Sequence, residues 1–139
     1  MVIHESAEDY LEAILKLRTK HGNVRSIDVV GELNVTKPSV SVAMKKLRES
    51  GYVLMDDSGL LTLTEKGEAV AQRIYERHKV LMQMLIMLGV DEDTAAQEAC
   101  KIEHVISDDT FQKIKNHCQR EIGKAQAAEA AKEPGTPGI

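Results

Sequence analysis

The sequence is poor in aromatic residues and has no long apolar run. Its 139 residues include no Trp, one Phe and three Tyr, so the core must be built from aliphatic side chains and Met. Such a core favours packed helices over a β-sandwich. No apolar stretch approaches the ~20 residues that a helix needs to cross a bilayer, and the N-terminus lacks the charged-then-apolar pattern of a signal sequence. We therefore expect a cytoplasmic protein with no membrane partner.

Cysteine is also scarce, since the sequence contains only Cys100 and Cys118. In a cytoplasmic protein, two cysteines are expected to remain thiols instead of forming a disulfide. Cys100 is then available as a metal ligand. The chain length allows one compact domain, or two small ones if a dimer interface supplies part of the second core.

One short segment is basic although the chain as a whole carries a net negative charge. The formal net charge is −4, which argues against a protein coated in basic charge for non-specific nucleic-acid binding. Between Thr36 and Arg48, however, there is no acidic residue. The charged residues of this segment are Lys37, Lys45, Lys46 and Arg48. The segment is therefore locally basic.

The N-terminal part of the chain has the pattern of a helix-turn-helix. Helices are predicted over residues 5–20 and 25–33, the second with Ser26 as its N-cap. A third helix is capped by Thr36, has Pro38 in its first turn, and continues to Gly51. Small polar and basic residues on its outward face are typical of a DNA-recognition helix. The candidate DNA contacts are Lys37, Ser39, Ser41, Lys45 and Lys46.

Two strand-like runs, 52–55 and 60–63, follow this helix and predict a β-hairpin, as in the wing of a winged helix. The hairpin tip contains Asp56 and Asp57, so we expect a weak contact with DNA. The alternative interpretation of the whole segment is a helix-turn-helix used only for packing.

The second half of the chain is predicted to be entirely helical. A long helix covers residues 65–88, and His78 lies within its apolar stripe. Gly89 ends this helix, the next one ends near Ser107, and a further helix over 108–122 closes the core or forms a subunit interface. The predicted domains are a winged helix-turn-helix over 1–64, a helical metal-binding and dimerisation domain over 65–124, and a fraying or disordered tail over 125–139.

One motif in the second half combines three kinds of metal ligand. Cys100, Glu103 and His104 stand at i, i+3 and i+4, so on a helix their side chains converge. Thiolate, carboxylate and imidazole suit Fe²⁺, Co²⁺, Ni²⁺ or Zn²⁺, and further carboxylates extend the range to Mn²⁺. The alternative is a small apolar Cys100 beside two surface polar residues. His78 is either a further ligand or a core histidine.

Asp9 and Glu12 lie at i and i+3 on the first helix. Taken alone, they are an acidic first turn that complements the helix dipole.

A winged helix followed by Arg77-His78 and by the run from Glu98 to Asp108 resembles the diphtheria-toxin-repressor family over residues 5–123. The resemblance implies a homodimeric, metal-dependent transcriptional regulator that binds double-stranded operator DNA and represses metal-uptake genes. It implies a mainly-α fold, no enzymatic activity, and a chain that lacks the SH3-like domain of many relatives. The implied metal ligands are Asp9, Glu12, His78, Cys100, Glu103 and His104.

The ligand pattern combines two branches of this family. Asp9 and Glu12 resemble the manganese-responsive branch, whereas Cys100 resembles the iron-responsive branch. Met82 stands where the family often has a further carboxylate ligand, so a second metal site is expected to be weak or altered. We expect Fe²⁺ or Mn²⁺ as the ion, with Co²⁺, Ni²⁺ and Zn²⁺ as substitutes in vitro.

The resemblance also implies a mechanism, in which an ion joins the first helix to the second domain and fixes the spacing of the recognition helices. Two other functions stay open from the sequence: a winged-helix redox sensor that uses Cys100, and a metallohydrolase. The sequence leaves open the physiological metal, the number of ions per subunit, the operator sequence and the regulated genes. It also leaves open whether the protein represses or activates these genes.

Overall fold

The computed structural model describes residues 5–132. The elements, in chain order, are α1 (Glu5–His21), α2 (Ser26–Leu33), α3 (Lys37–Glu49), β1 (Val53–Met55), β2 (Leu61–Leu63), α4 (Glu65–Met87), α5 (Glu92–Ile102) and α6 (Asp108–Lys132). Helices with one small sheet confirm the predicted mainly-α fold. The chain divides into two compact units, Met1–Glu76 and Arg77–Ile139, and α4 contributes to both.

The first unit is a winged helix-turn-helix, as predicted. α1 packs against α2 and α3, and Asn34, in the left-handed conformation with φ 54°, ends α2. An aliphatic core joins the helices to the hairpin. Its buried members are Leu11, Ile14, Leu15, Leu17, Val24, Val29, Val40, Met44, Leu47, Tyr52, Val53, Leu61 and Ala71.

The wing is the antiparallel pair of β1 and β2, in which Val53 is paired with Leu63. The Leu61 N–H also donates to the Val24 carbonyl at 2.8 Å, which joins the wing to the segment before α2. At the tip, the Asp56 carboxylate accepts hydrogen bonds from the Ser58 and Leu60 N–H groups, both at 2.9 Å. Asp56 therefore holds the turn itself, and the Leu60 N–H bond and the Ser58 hydrogen bonds lower the pKa of its carboxyl.

Within the first unit, an ion pair joins α1 to the start of α4. Arg18 donates to both Glu68 carboxylate oxygens at 2.6 and 2.8 Å, and Gln72 donates to the same carboxylate at 2.8 Å. A bidentate pair of this kind fixes the relative rotation of the two helices better than a single contact.

The second unit consists of the remainder of α4 with α5 and α6. Gly89, at φ 100°, ends α4 as predicted, and the Val90 N–H donates back to the Leu85 carbonyl at 2.9 Å. The unit buries two charged side chains, Arg77 and Glu103. Its buried apolar residues are Leu81, Ala95, Ala99, Phe111 and Cys118. Within residues 5–132, no helix has both the length and the apolarity needed to span a bilayer.

Several predicted helix limits were wrong, among them the end of α3, which lies at Glu49 and not at Gly51. α2 begins at Ser26 with Arg25 as its N-cap, because the Arg25 N–H donates to the Asp28 carboxylate at 2.8 Å. The helix with the ligand motif ends at Ile102, several residues before Ser107. Ser107 instead precedes α6, and its hydroxyl accepts from the Thr110 N–H at 3.1 Å.

At the C-terminal end, α6 is helical as far as Lys132. The rest of the predicted tail, residues 133–139, lies outside the described residues. The proposed domain limits at 64 and 124 stay predictions.

Candidate metal centre and DNA-binding surface

Three of the predicted ligands meet at the end of α5. Cys100 lies in the last turn of the helix, Glu103 is its C-cap residue, and His104 follows in the turn. One ligand atom from each of the three lies within 4.8 Å of the other two. Glu103 keeps helical backbone angles, φ −58° and ψ −23°, so the spacing brings the side chains together although the helix ends at Ile102.

The Glu103 carboxylate lies at the centre of this cluster. Its Oε2 is 2.9 Å from Nδ1 of His78 on α4, and its Oε1 is 3.4 Å from Nε2 of His104. Glu103 is fully buried, and the side chains of His78 and His104 are only 11% and 2% exposed. Cys100 is half-buried. The cluster of His78, Cys100, Glu103 and His104, which we call the ligand cluster, belongs entirely to the second unit.

The donor set of the ligand cluster fits a divalent cation. Burial of a carboxylate destabilises the fold unless an opposite charge compensates it. A thiol that loses its proton to solvent, and two imidazoles in their neutral form, can then ligate a cation beside it. Sulfur, nitrogen and oxygen donors together match the preferences of Fe²⁺, Co²⁺ and Zn²⁺.

The other two predicted ligands, Asp9 and Glu12, lie one helical turn apart on α1 in the first unit. Glu12 is 3% exposed, and its Oε2 is 3.6 Å from Nζ of Lys16 on the same helix. Asp9 is half-buried. Burial of Glu12 is unusual for a residue of the first helical turns and exceeds what a solvated, dipole-compensating role needs.

The predicted DNA-binding residues lie along α3. Thr36 caps the helix as predicted, because its hydroxyl oxygen accepts from the Ser39 N–H at 3.3 Å. Val40, Met44 and Leu47 are buried, so the opposite face is presented to solvent. From Lys37 to Arg48 that face is free of acidic residues, and Glu49 is exposed at its C-terminal end. Its exposed members include Lys37, Ser39, Ser41, Lys45 and Lys46.

One residue of this face was missed in the sequence. Val42 is 54% exposed and lies three residues from both Ser39 and Lys45. Its apolar side chain is the kind of group that contacts the methyl of thymine in the major groove. Val42 could have been identified from the sequence, because at helical spacing it lies outside the apolar stripe formed by Val40, Met44 and Leu47.

Comparison with known proteins agrees with this arrangement. The family model described as "Iron dependent repressor, N-terminal DNA binding domain" matches residues 3–59. The model described as "Iron dependent repressor, metal binding and dimerisation domain" matches residues 64–120.

Two relatives and one solved structure illustrate the similarity. An uncharacterized HTH-type transcriptional regulator of Methanocaldococcus jannaschii is 38% identical, and the match covers 80% of this chain and 90% of the relative. The HTH-type transcriptional regulator MntR of Lysinibacillus sphaericus is 37% identical and covers 78% of each chain. The structure of the manganese regulator SloR is 28% identical with a TM-score of 0.73, and the match covers 86% of this chain.

This chain spans about half the length of SloR and of several other solved structures that it matches, 55% in the case of SloR. The two domain descriptions and the relatives are those of transcriptional regulators, which confirms the prediction of a non-enzymatic protein. The chain belongs to the iron-dependent repressor family of metal-dependent transcriptional regulators, the diphtheria-toxin-repressor family that its sequence resembles.

Proposed function

We propose that this chain represses iron- or manganese-uptake genes by binding double-stranded operator DNA as a metal-loaded homodimer. The observation that carries the proposal is the ligand cluster, in which a buried carboxylate lies against two imidazoles and near a thiol. DNA binding alone does not require a carboxylate, two imidazoles and a thiol to be buried close together.

His78, Cys100, Glu103 and His104 are the proposed ligands from the second unit, and Asp9 and Glu12 are the proposed ligands from α1. The bound ion supplies the positive charge that compensates the carboxylates. The Cys100 thiolate favours Fe²⁺, while the carboxylates of Asp9 and Glu12 favour Mn²⁺, the ion of the manganese regulator SloR. The test below therefore includes both ions.

The proposed DNA contacts follow from the geometry of α3. Lys37 and Ser39 lie in its first turn, where a recognition helix approaches base edges, and Lys45 and Lys46 lie further along, where phosphates are contacted. Ser41 lies on the same exposed face. The Ser39 hydroxyl already accepts from the Thr36 hydroxyl at 2.8 Å, which leaves its own proton for donation to a base or phosphate.

Metal control requires that the ion favour one arrangement of the dimer over others. Without the ion, Asp9 and Glu12 would repel the Glu103 carboxylate if the three approached one another, so the metal-free protein would sample other arrangements. With the ion, the recognition helices of a dimer can be held about one DNA turn apart, ~34 Å. The ion thereby acts as the corepressor.

The proposal is tested by metal-dependent operator binding. A duplex is first selected from a random-sequence pool, and its binding to the chelated protein is followed by fluorescence anisotropy during anaerobic titration with Fe²⁺ and, separately, Mn²⁺. Tight, salt-sensitive binding that requires the ion supports the proposal, and the ion effective at cellular concentration is the signal.

The matched pair His104→Gln and His117→Gln provides the control. His117 is exposed on α6 and lies outside the ligand cluster, so only the His104 variant should lose the metal response. Equal operator binding with and without either ion would contradict the proposal. Loss of binding on oxidation of Cys100 would then indicate the redox sensor.

A further inference from the structure

Arg77 is one of the largest fully buried side chains among the described residues, with 2% exposure. An arginine side chain does not become neutral by losing a proton, and its guanidinium carries five N–H donors. Burial of such a group is stable only when the fold supplies acceptors for it. The identity of these acceptors therefore indicates what Arg77 does.

Within residues 5–132, the acceptors of Arg77 lie around the turn between α5 and α6. Its Nη1 donates to the Glu103 carbonyl at 3.1 Å and to the Ile106 carbonyl at 2.7 Å. Its Nη2 forms an ion pair with the Asp108 carboxylate. The guanidinium carbon is 5.3 Å from the centre of the Phe111 ring, a cation–π distance.

These contacts replace hydrogen bonds that the backbone cannot make for itself. α5 ends at Ile102, so the carbonyls of the following turn have no donor four residues further along the same helix. A single guanidinium joins the carbonyls near the start and the end of this turn. The turn carries both Glu103 and His104, and its conformation sets the direction of their side chains.

Arg77 and His78 are adjacent on α4, and both contact Glu103. Arg77 binds its main-chain carbonyl, and His78 contacts its carboxylate. We infer that Arg77 is a positioning residue for the metal centre, which holds the Glu103–His104 turn in its ligating conformation before an ion binds. This inference rests on the proposed function of the ligand cluster.

Positioning of this kind affects metal binding through preorganisation. If the turn is held in advance, no binding free energy is used to order Glu103 and His104. Loss of groups that orient metal ligands typically weakens metal affinity about 10- to 100-fold. A residue with a purely structural role would instead change the stability of the metal-free fold and leave the coordination of the bound ion as it was.

The test is an anaerobic Co²⁺ titration of the full chain carrying Arg77→Met, followed by absorption spectroscopy. Co²⁺ reports ligand geometry through its d–d bands and reports Cys100 through a thiolate charge-transfer band. The matched control is Arg120→Met, which removes an exposed arginine from α6 of the same unit. Far-UV circular dichroism verifies that each variant is folded.

We expect Arg77→Met to bind Co²⁺ about 10- to 100-fold more weakly, with altered d–d bands, and Arg120→Met to match the wild type. Co²⁺ affinity and spectrum that are unchanged in folded Arg77→Met would overturn the inference. Should Arg77→Met fail to fold, Arg77→Lys and Asp108→Asn decide the question. A lysine carries its three donors on one nitrogen and lacks the planar fork that spans the two carbonyls and Asp108, and the Asp108→Asn substitution removes only the charge that orients the guanidinium.

Both of these milder variants should weaken Co²⁺ binding, Arg77→Lys by more than Asp108→Asn, and unchanged binding in both would overturn the inference. The wild-type spectrum separates this result from the proposed function. A thiolate band that Cys100→Ser abolishes supports the ligand cluster as the metal site. Absence of that band in the wild type would contradict the proposed function, and the role of Arg77 with it.

Discussion

The first unit is held together by an aliphatic core and buries one carboxylate, that of Glu12, whereas the second unit buries both an arginine and a carboxylate beside two largely buried imidazoles. Apolar burial stabilises a fold at any metal concentration and nearly any pH. Buried charge does so only while its partners are present, and a missing partner costs several kcal/mol. We therefore expect the DNA-binding unit to fold independently of metal and the stability of the second unit to depend on the ion.

The largest expected effect is selective stabilisation of the second unit by metal. A free-ion concentration ~1,000-fold above Kd should raise the free energy of local opening in α5 by about 4 kcal/mol. α2 and α3, which contain no proposed ligand, should change little. Amide hydrogen exchange measured with and without Mn²⁺ or Co²⁺ checks this prediction.

The same experiment on His104→Gln should show almost no protection of α5, because a ligand is missing. Equal protection of α3 and α5 by the ion in the wild-type protein would contradict the comparison between the units.

The next effect concerns close packing in the first unit. A Cβ added at Gly67 would lie 2.0 Å from the Tyr52 carbonyl oxygen, which is backbone and has little room to move. The same carbonyl accepts from the Thr64 N–H at 3.1 Å, so a shift would also break that bond. Gly67→Ala should therefore lower the free energy of unfolding by about 1–3 kcal/mol, measured by urea denaturation.

Gly123→Ala is the matched substitution in the second unit. Gly123 lies within α6, and an added Cβ there meets no atom within 4 Å. Alanine should stabilise the helix by about 0.5–1 kcal/mol, because glycine is the poorer helix former. Destabilisation by both substitutions would show that the close approach to Tyr52 is not what distinguishes Gly67.

The smallest expected effect is the pH dependence of the α1–α4 ion pair. The hydrogen bonds from Arg18 and Gln72 lower the pKa of Glu68 from 4.5 to about 2. Because the folded-state pKa is depressed, this stabilisation is complete above pH 4.5 and is lost as the pH falls toward about 2. Both side chains are at least one-third exposed, so we expect a contribution of only about 1 kcal/mol.

Glu68→Gln should remove this contribution at neutral pH and flatten the acid limb of the stability curve. Thermal unfolding from pH 7 to 3 measures both effects. Asp109→Asn is the control, because the Asp109–Lys113 pair is 78% and 76% exposed and should contribute nothing measurable. An unchanged acid limb in Glu68→Gln would show that the ion pair does not stabilise the unit.

Local signals were sufficient to predict most of the fold. Thr36 and Pro38 mark the start of α3, Gly89 marks the end of α4, and the apolar spacing of Val40, Met44 and Leu47 gives the buried face of α3. Each of these signals acts within one helical turn, which is the range over which capping and periodicity operate.

The end of α5 could not be predicted in this way. The acceptors of Arg77 around this turn, two carbonyls and the Asp108 carboxylate, lie 26, 29 and 31 residues further along the chain, so a pattern within one helical turn does not show them. The i, i+3, i+4 spacing of Cys100, Glu103 and His104 still brought the ligands together, because the turn retains helical backbone angles at Glu103.

In the proposed function, metal binding at the ligand cluster is coupled to operator binding. The metal affinity measured with and without operator DNA tests this coupling directly. Mn²⁺ and Fe²⁺ affinities are determined anaerobically with and without saturating operator duplex. Thermodynamic linkage requires operator DNA to tighten metal binding by the same factor by which the ion tightens operator binding. We expect operator duplex to increase the affinity for the effective ion by this factor, and we expect no such increase in His104→Gln. Identical metal affinity with and without the duplex would contradict it.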